Sequence, residues 1–461
     1  MNEQKTILQN KKALLINLGC KVNKYETDAM AEKLRAVGMR IVEPDEAADV
    51  CIVNTCSVTN MAQKKSRQML RRVRKQNEQA VIIAAGCYVN AEHETLLQEN
   101  FIDIVVSNNL KKDIVQVVAE YFAHSYKDYY VPIADTGEYE EMGRLEAAGL
   151  EHRRAYVKIQ DGCNQFCSYC IIPYTRGRVR SRAPEMILEE VAALAASGVK
   201  EFVLTGIHIS SYGTDFKDKQ GIHDLGGLIH ALEDMTAVQR IRLGSLEPRI
   251  ITEEFLKEIG NSEKLCPHFH LSLQSACNAT LKRMNRKYTI EEYAEKCRLL
   301  REYFDYPAIT TDVIVGFPGE TEEEFAETLS NLEELKLYEI HVFKYSLRSG
   351  TAAEKLPDPV PENIKNARSE ILLDLTKRQK AAFEQMLTGY VDDVLVEEKL
   401  EETEAVSRLK KAEIIDADEP DMKSEIQQSL EYFTGHTKRY VKVCVKAHSD
   451  CINEIVRVKL V

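Results

Sequence analysis

Short apolar blocks separated by amphipathic stretches set the pattern of the first quarter of the chain. Residues 13–18, 50–53, 80–85 and 102–106 are runs rich in small and β-branched side chains, with helical periodicity between them. That alternation predicts a parallel sheet covered by helices. Residues 131–154 then lose the pattern and turn polar and acidic, as a linker or long connection does. A second strand–helix series follows, with candidate strands at 156–160, 201–205, 240–244, 268–273, 310–315 and 339–345. Six such units predict a complete or partial β/α barrel. After the fifth strand, Thr321 and Glu324 have capping-box spacing, and Phe325, Leu329 and Leu332 share the apolar face of the helix they start. Beyond a helix at about 364–388 the alternation becomes that of strands, at 393–397, 440–446 and 455–461, which predicts a small β-barrel interrupted by an acidic, helix-like insert at 411–432.

The fold expected is therefore α/β with three domains: an open parallel sheet at 10–125, a partial barrel at 149–380 and a small β-barrel at 381–461. The length of 461 residues agrees, because it exceeds what one hydrophobic core organises. With 44% hydrophobic and 29% charged residues the chain is neither disordered nor membrane-embedded in composition. Its longest apolar stretch, residues 80–89, falls short of the roughly 18 residues that span a bilayer. The opening MNEQKTILQNKK lacks the apolar core of an export signal, so a cytoplasmic protein with no membrane partner is expected. A net charge of −12 argues against indiscriminate nucleic-acid binding and leaves local basic surfaces open.

Twelve cysteines change the picture, since a reducing compartment disfavours structural disulfides and shifts the expectation toward metal binding. Cys163, Cys167 and Cys170 form a C-x3-C-x2-C run directly after the first predicted barrel strand, at the end where barrel active sites are built. Three closely spaced thiolates can hold three irons of a cubane cluster and leave the fourth open to a substrate or cofactor. A structural zinc site is the alternative, but the run lacks a fourth ligand in paired spacing. A second set, Cys20, Cys56 and Cys87, follows three strands of the first sheet. In an open parallel sheet those positions share the carboxyl edge, so thiols distant in sequence converge. Cys51 lies inside a strand and reads as core. Cys266, Cys277, Cys297, Cys444 and Cys451 have no ligand spacing and read as packing.

The run of Cys163, Cys167 and Cys170, with Tyr169 before its last cysteine, resembles the signature of the radical S-adenosylmethionine (SAM) superfamily over roughly 150–360. The resemblance implies that SAM chelates the open iron and is cleaved reductively to a 5′-deoxyadenosyl radical. It also implies a SAM pocket lined by Tyr169, Gly206, Gln274, Ser275 and Gly316. Taken with LGCKVNKYET, NTCSVT, AAGC, TRGRVRSR and SLEPRIIT, the chain resembles the methylthiotransferases over nearly its whole length. That family implies an auxiliary cluster on Cys20, Cys56 and Cys87, a radical SAM cluster on Cys163, Cys167 and Cys170, and a C-terminal TRAM domain that binds tRNA. LGCKVNKYE is most similar to the branch acting on tRNA that carries N6-threonylcarbamoyladenosine beside the anticodon. The other branches modify isopentenyladenosine or a ribosomal protein. The implied cofactors are two [4Fe–4S] clusters and SAM. The implied partners are that tRNA, a sulfur source and a low-potential electron donor of flavodoxin or ferredoxin type. A non-catalytic iron–sulfur or zinc RNA-binding protein is the alternative from another class.

Basic residues mark candidate RNA contacts. Lys64, Arg67, Arg71 and Arg74 form a stripe on one predicted helix. Arg176, Arg178, Arg180 and Arg182 alternate just after the radical motif, as phosphate contacts beside the active site or, for some of them, as anchors of the loop. Lys442, Arg457 and Lys459 lie on outward strand faces of the last domain. His268 and His270 share a strand face, either lining the barrel or packed.

Overall fold

The computed structural model describes residues 6–124, 128–133, 137–145, 154–218, 220–401, 409–415, 431–447 and 451–461. The first sheet comprises β1 (Lys12–Asn17), β2 (Arg40–Ile41), β3 (Val50–Thr55), β4 (Val81–Gly86), β5 (Ile104–Val106) and β6 (Asp128–Tyr129). All are parallel, in the order β2-β1-β3-β4-β5-β6. Strands β3 and β4 are buried along their whole length, which explains why the sequence shows continuous apolar runs there instead of alternation. Period two still divides the faces of β3. Val50 and Ile52 join a core that continues into the second series of strands, while Cys51 and Val53 pack in a separate core under the opposite helices. Cys51 is thus a packing residue.

The second series is β7 (Arg154–Asp161), β8 (Arg180–Ser181), β9 (Glu201–Gly206), β10 (Arg240–Leu243), β11 (His268–His270), β12 (Ala308–Val315) and β13 (Glu339–Lys344). Six of these run parallel in an arc, β7-β9-β10 and β11-β12-β13, and single bridges at Ile241 to Leu265 and Leu246 to Leu271 join the halves. The edge of β7 away from β9 is taken by the short antiparallel β8. The barrel is therefore partial. The helix Glu322–Leu335 starts as the capping spacing predicts, with Thr321 accepting from the Glu324 N–H. The connection before β7 packs more firmly than its polar composition implies. Met142 and Leu145 enter the core, and Glu140 and Glu141 pair with Arg180 and Arg182.

The last strands, β14 (Val391–Leu400), β15 (Lys410–Ile414), β16 (Glu431–Thr437), β17 (Lys442–Ala447) and β18 (Ile455–Leu460), close as β14-β16-β17-β15-β18. The expected helical insert at 411–432 is corrected at both ends, which belong to β15 and β16. Their charged residues face outward while Ala412 and Phe433 fill the barrel. Residues 416–430 lie outside the described residues.

The tip between β16 and β17 seals the amino-terminal mouth of the partial barrel. Arg240 and Arg242, both buried at the start of β10, donate to the carbonyls of Asp393, His436, Thr437 and Lys438. Tyr440 stacks on His268 and His436 at 5.0 and 4.7 Å between ring centroids. His268 is accordingly a packed histidine, and burial together with Arg242 and Lys21 pulls its pKa well below the usual imidazole range. Arg439 fastens the tip, with 3.0 Å to Asp392 Oδ2 and donations to the carbonyls of Asp305 and Tyr306. Arg439→Ala leaves the buried Asp392 carboxylate uncompensated. The expected cost is about 3 to 5 kcal/mol, read by denaturant unfolding together with selective proteolysis of the C-terminal barrel. An unfolding midpoint equal to the parent's would contradict the docking described.

Candidate functional site

Three strands of the first sheet end on cysteines. Cys20 precedes the helix Lys21–Ala36, Cys56 follows β3, and Cys87 begins the helix Cys87–Leu97. Gly86 makes the last turn possible. Its φ is +101°, and a Cβ there would lie 2.5 Å from the Thr55 carbonyl oxygen. Cys56 and Cys87 are buried, Cys20 is exposed, and all three are free thiols. Burial pushes the Cys56 thiol up to about 11, and its neighbours Cys87 and Cys20 add to the rise. A cavity of about 360 Å³ reaches Cys20 from the side, lined by Lys21, Lys24, Arg154, Tyr156 and Glu397.

The second triplet sits on the loop after β7. Gly162, with φ +72°, starts that loop where a Cβ would fall 1.8 Å from the Arg178 carbonyl oxygen. The loop is closed by backbone bonds from Cys163 N to Gly177 O and from Cys170 N to Cys167 O, both 3.0 Å. Burial pushes Cys163 up to about 11 and Cys170 up to about 12, and the neighbouring thiols raise both further. Arg286 Nη1 donates to Cys167 Sγ at 3.3 Å, while its other nitrogens are held by Ser272 O and Tyr288 OH. Tyr169 packs edge-on against Phe317, 6.4 Å between centroids, beside the thiols.

The spacing of both triplets bears on what they hold. Among the described residues, one set of three metal-ligating atoms lies within 4.8 Å of one another, His270, Asp312 and His341 in the barrel lumen. Each cysteine set brings three free thiols to one sheet edge or one loop, a donor chemistry that suits three irons of a cubane cluster.

A buried ion network joins the two triplets. Glu26 accepts from Lys111 at 2.7 Å, Lys158 at 2.8 Å and Arg176 at 2.8 Å. Asp161, two residues before Cys163, accepts from Lys158 at 2.6 Å and Arg176 at 3.0 Å. Each of these five residues is at most 3% exposed. Arg176 also donates from Nε to Cys87 Sγ at 3.2 Å and from Nη2 to Asn23 Oδ1 at 2.7 Å. Three cations thus oppose two carboxylates, and the surplus positive charge points at Cys87. Burial raises the Glu26 pKa, but Arg176, Lys111 and Lys158 outweigh it and hold the carboxyl well below its usual range.

Several expectations are corrected. Arg176, Arg180 and Arg182 do not face RNA. Arg180 pairs with Glu140, Arg182 with Glu141 and Glu190, and all three are buried because their loop turns back under the site. Arg178 remains exposed, its guanidinium 4.5 Å from the centroid of the Phe166 ring. Ser275 is fully buried with its hydroxyl 3.4 Å from Thr328 Oγ1, on the helix side of the strand and away from the lumen. Gly316 gives its N–H to Glu320 at 2.7 Å and is covered by Lys365, so it serves a turn. Gly206 is closely packed against Gln160 and Ile209. Gln274 holds a strained φ of +78° four residues beyond β11, where an isolated bridge to β12 sets it between its bonds to Asp312 and Ile314. On helix Asn60–Gln76, Arg67 and Arg74 are tied to Glu99 and Asp103, and Arg71 lies over Phe101. Most of that stripe therefore fastens the helix to its own domain. Lys442, Arg457 and Lys459 are exposed as expected. The sequence reading missed Glu26, Lys111, Lys158 and Arg286. Of these, Glu26 lies inside LGCKVNKYET and so stood in a motif that offered a signal.

Residues 157–332 match the Radical SAM superfamily, and residues 12–107 match the uncharacterized protein family UPF0004. The chain is 38% identical over 450 residues to the threonylcarbamoyladenosine tRNA methylthiotransferase MtaB of Bacillus subtilis (strain 168), covering 96% of this chain and 92% of that one. It is 38% identical to the MtaB of the same description from Aquifex aeolicus, covering 79% and 88%. It is 34% identical to the tRNA-2-methylthio-N(6)-dimethylallyladenosine synthase of Pelotomaculum thermopropionicum, covering 84% and 87%. Among solved structures, the radical S-adenosylmethionine methyltransferase TsrM from Kitasatospora setae shares the fold, with a TM-score of 0.53 at 15% identity over 73% of this chain and 72% of that one.

Removing the Glu26 carboxylate tests the network. Glu26→Ala leaves the surrounding cations uncompensated, and an expected loss of about 3 to 5 kcal/mol follows. The carboxyl is depressed in the folded state. Its contribution is therefore complete above the unfolded carboxyl pKa of about 4 and is lost as pH falls from there through the folded value. Unfolding curves of parent and Glu26→Ala should accordingly differ at pH 7 and converge in acid. Curves that stay parallel at every pH would refute this role.

Proposed function

This chain belongs to the tRNA methylthiotransferases of the radical SAM superfamily, and on that premise we propose how its residues carry the reaction and on which nucleoside. Its substrate is tRNA, and the nucleoside we assign is N6-threonylcarbamoyladenosine, converted to its 2-methylthio derivative. The observation that favours this nucleoside is the near-complete match, 96% of the chain, to a relative described as acting on it. When bound, the two [4Fe–4S] clusters and SAM supply reductive formation of a radical that takes hydrogen from C2 of the adenine, and a methylated sulfur that joins that carbon. A C–H bond of this kind offers no proton that a side-chain base could readily remove, which is why radical chemistry suits it.

The chain's own residues hold and orient. Cys163, Cys167 and Cys170 are assigned to the radical SAM cluster, and Cys20, Cys56 and Cys87 to the auxiliary one. Arg286 offsets the negative charge gathered at Cys167, and Tyr169 with Phe317 shields that side from water. Arg176 does the corresponding work at Cys87 and, through Glu26 and Asp161, fixes one triplet relative to the other. Two reactive centres that must act on one carbon have to be held at a constant separation. Gln274 is retained as the SAM-pocket residue best placed on the strand end. The exposed Lys442, Arg457 and Lys459 are assigned to docking RNA on the C-terminal barrel. A flavodoxin- or ferredoxin-type donor supplies electrons, and an external source supplies the sulfur.

Three outcomes are expected. After anaerobic reconstitution the protein should hold about eight irons per chain, four for each triplet. Cys170→Ala should abolish reductive SAM cleavage, whereas Cys87→Ala should keep some 5′-deoxyadenosine formation and lose methylthiolated nucleoside, both read by chromatography and mass spectrometry of digested tRNA. Product formed on isopentenyladenosine instead would reassign the nucleoside, and product from both variants would reject the cysteine assignments. Replacing Lys442, Arg457 and Lys459 together should weaken tRNA binding and flatten its salt dependence, since fewer counterions are released on contact. Affinity and salt slope equal to the parent's would place the RNA elsewhere.

A further inference from the structure

Strand alternation in the second half of the partial barrel turns one set of side chains to the helices and the other to the lumen. Phe269, Ile309, Val313 and Ile340 join the core on the helix side. His270 of β11, Asp312 of β12 and His341 of β13 occupy the opposite face, and the reaction as assigned above uses none of them. Asp312 and His341 are direct partners in the parallel register, and His270 pairs with Thr310, two residues before Asp312 on the same face. Three adjacent strands therefore deliver two imidazoles and one carboxylate to one spot, where one ligand atom from each lies within 4.8 Å of the others. His270 Nε2 is 3.3 Å from Asp312 Oδ2, with the two side chains 13% and 29% exposed, so an ion has a path to them. The other ring nitrogen of His270, Nδ1, lies 3.0 Å from Thr310 Oγ1. The His270 and His341 rings are stacked at 5.6 Å between centroids. Among the described residues no lysine or arginine pairs with Asp312.

A neutral imidazole carries one proton and one lone pair. Thr310 can accept the Nδ1 proton of His270, which leaves the Nε2 lone pair directed at the Asp312 carboxylate. Metal-bound histidines are oriented in this way, with the far ring nitrogen held by a second polar group. The spacing agrees, because ligand atoms at about 2.0 to 2.1 Å from a tetrahedral ion lie roughly 3.3 Å apart, as Nε2 and Oδ2 do. Two nitrogens and one oxygen suit zinc or ferrous iron, whereas calcium and magnesium take oxygen ligands. We propose that His270, Asp312 and His341 form a mononuclear site for a divalent ion of the zinc or ferrous class. Three protein ligands leave a coordination position open to the lumen, where water or an oxygen atom of a bound molecule completes the shell. The site shares no ligand with either cysteine triplet and does not rest on the iron–sulfur assignments.

The test uses the full chain after anaerobic reconstitution, so that the thiols are occupied, and zinc as the probe. Zinc retained through gel filtration should reach about one ion per chain by plasma mass spectrometry, and X-ray absorption at its edge should show nitrogen and oxygen neighbours at about 2.0 to 2.1 Å with none at the roughly 2.3 Å of a thiolate. Competition with a zinc-binding dye should place the dissociation constants of Asp312→Asn and His341→Gln about a hundredfold or more above the parent's, and that of Thr310→Val, which removes only the orienting hydroxyl, about tenfold above. His341 is exposed on the last strand of its sheet, so His341→Gln keeps the test readable if Asp312→Asn does not fold. Zinc bound equally well by parent and variants, or bound on sulfur, overturns the proposal. Failure of the parent to bind zinc also overturns it and leaves a hydrogen-bonded histidine–aspartate pair only. The neighbour shell is read whatever the cysteines carry, so failure of the cluster assignments and failure of this site are distinguishable.

Discussion

Five charged side chains taken entirely out of water hold this molecule's reactive parts in register. Glu26 comes from the first sheet's leading helix, Lys111 from that sheet's far end, Lys158 and Asp161 from the first barrel strand, and Arg176 from the loop behind the second cysteine triplet. Burying such a group is unfavourable unless geometry and hydrogen bonding are nearly complete. Here each carboxylate oxygen meets at least one cation. Such an arrangement tolerates almost no slippage, because a small shift of one domain would strand several charges at once. A hydrophobic interface of the same area would be more forgiving. The continuous apolar core beneath, shared by the first sheet and the barrel, supplies cohesion, and the ionic layer supplies register.

How much of this was written legibly in the chain depends on the range of the interaction. Strand positions in both parallel series follow from local apolar runs, and the capping pair Thr321 and Glu324 marks its helix start directly. The cysteine triplets were legible because strand ends of a parallel sheet share an edge, so topology converts three distant residues into neighbours. Short edge strands such as β2, β6 and β8 carry two residues each and have no periodicity to detect. The failures among the arginines have one cause. Arg176, Arg178, Arg180 and Arg182 alternate like an exposed basic face, yet three of the four find acids contributed by segments far away in sequence. A charge pattern reports a surface only when its partners are local.

The same lesson applies to Ser275 and Gly316. Both lie next to residues that do approach the lumen, but strand alternation and a turn direct Ser275 to a helix and leave Gly316 with no free N–H. Arg286 is the opposite case, since nothing in LKRMNRKYT announces that its guanidinium will reach Cys167. Positions that act on a site from a following loop become visible only once the loop is folded.

The C-terminal barrel enters through its fastening. It is attached to the mouth of the partial barrel by buried arginines and a stack of aromatic rings, and its Glu397 and Glu398 line the cavity that reaches Cys20. A module fixed in this way behaves as a ruler. For the RNA docking proposed on its outer face, the stretch between grip and target nucleotide must have the right length to reach the thiol sites, which would make selection a matter of distance along the folded RNA.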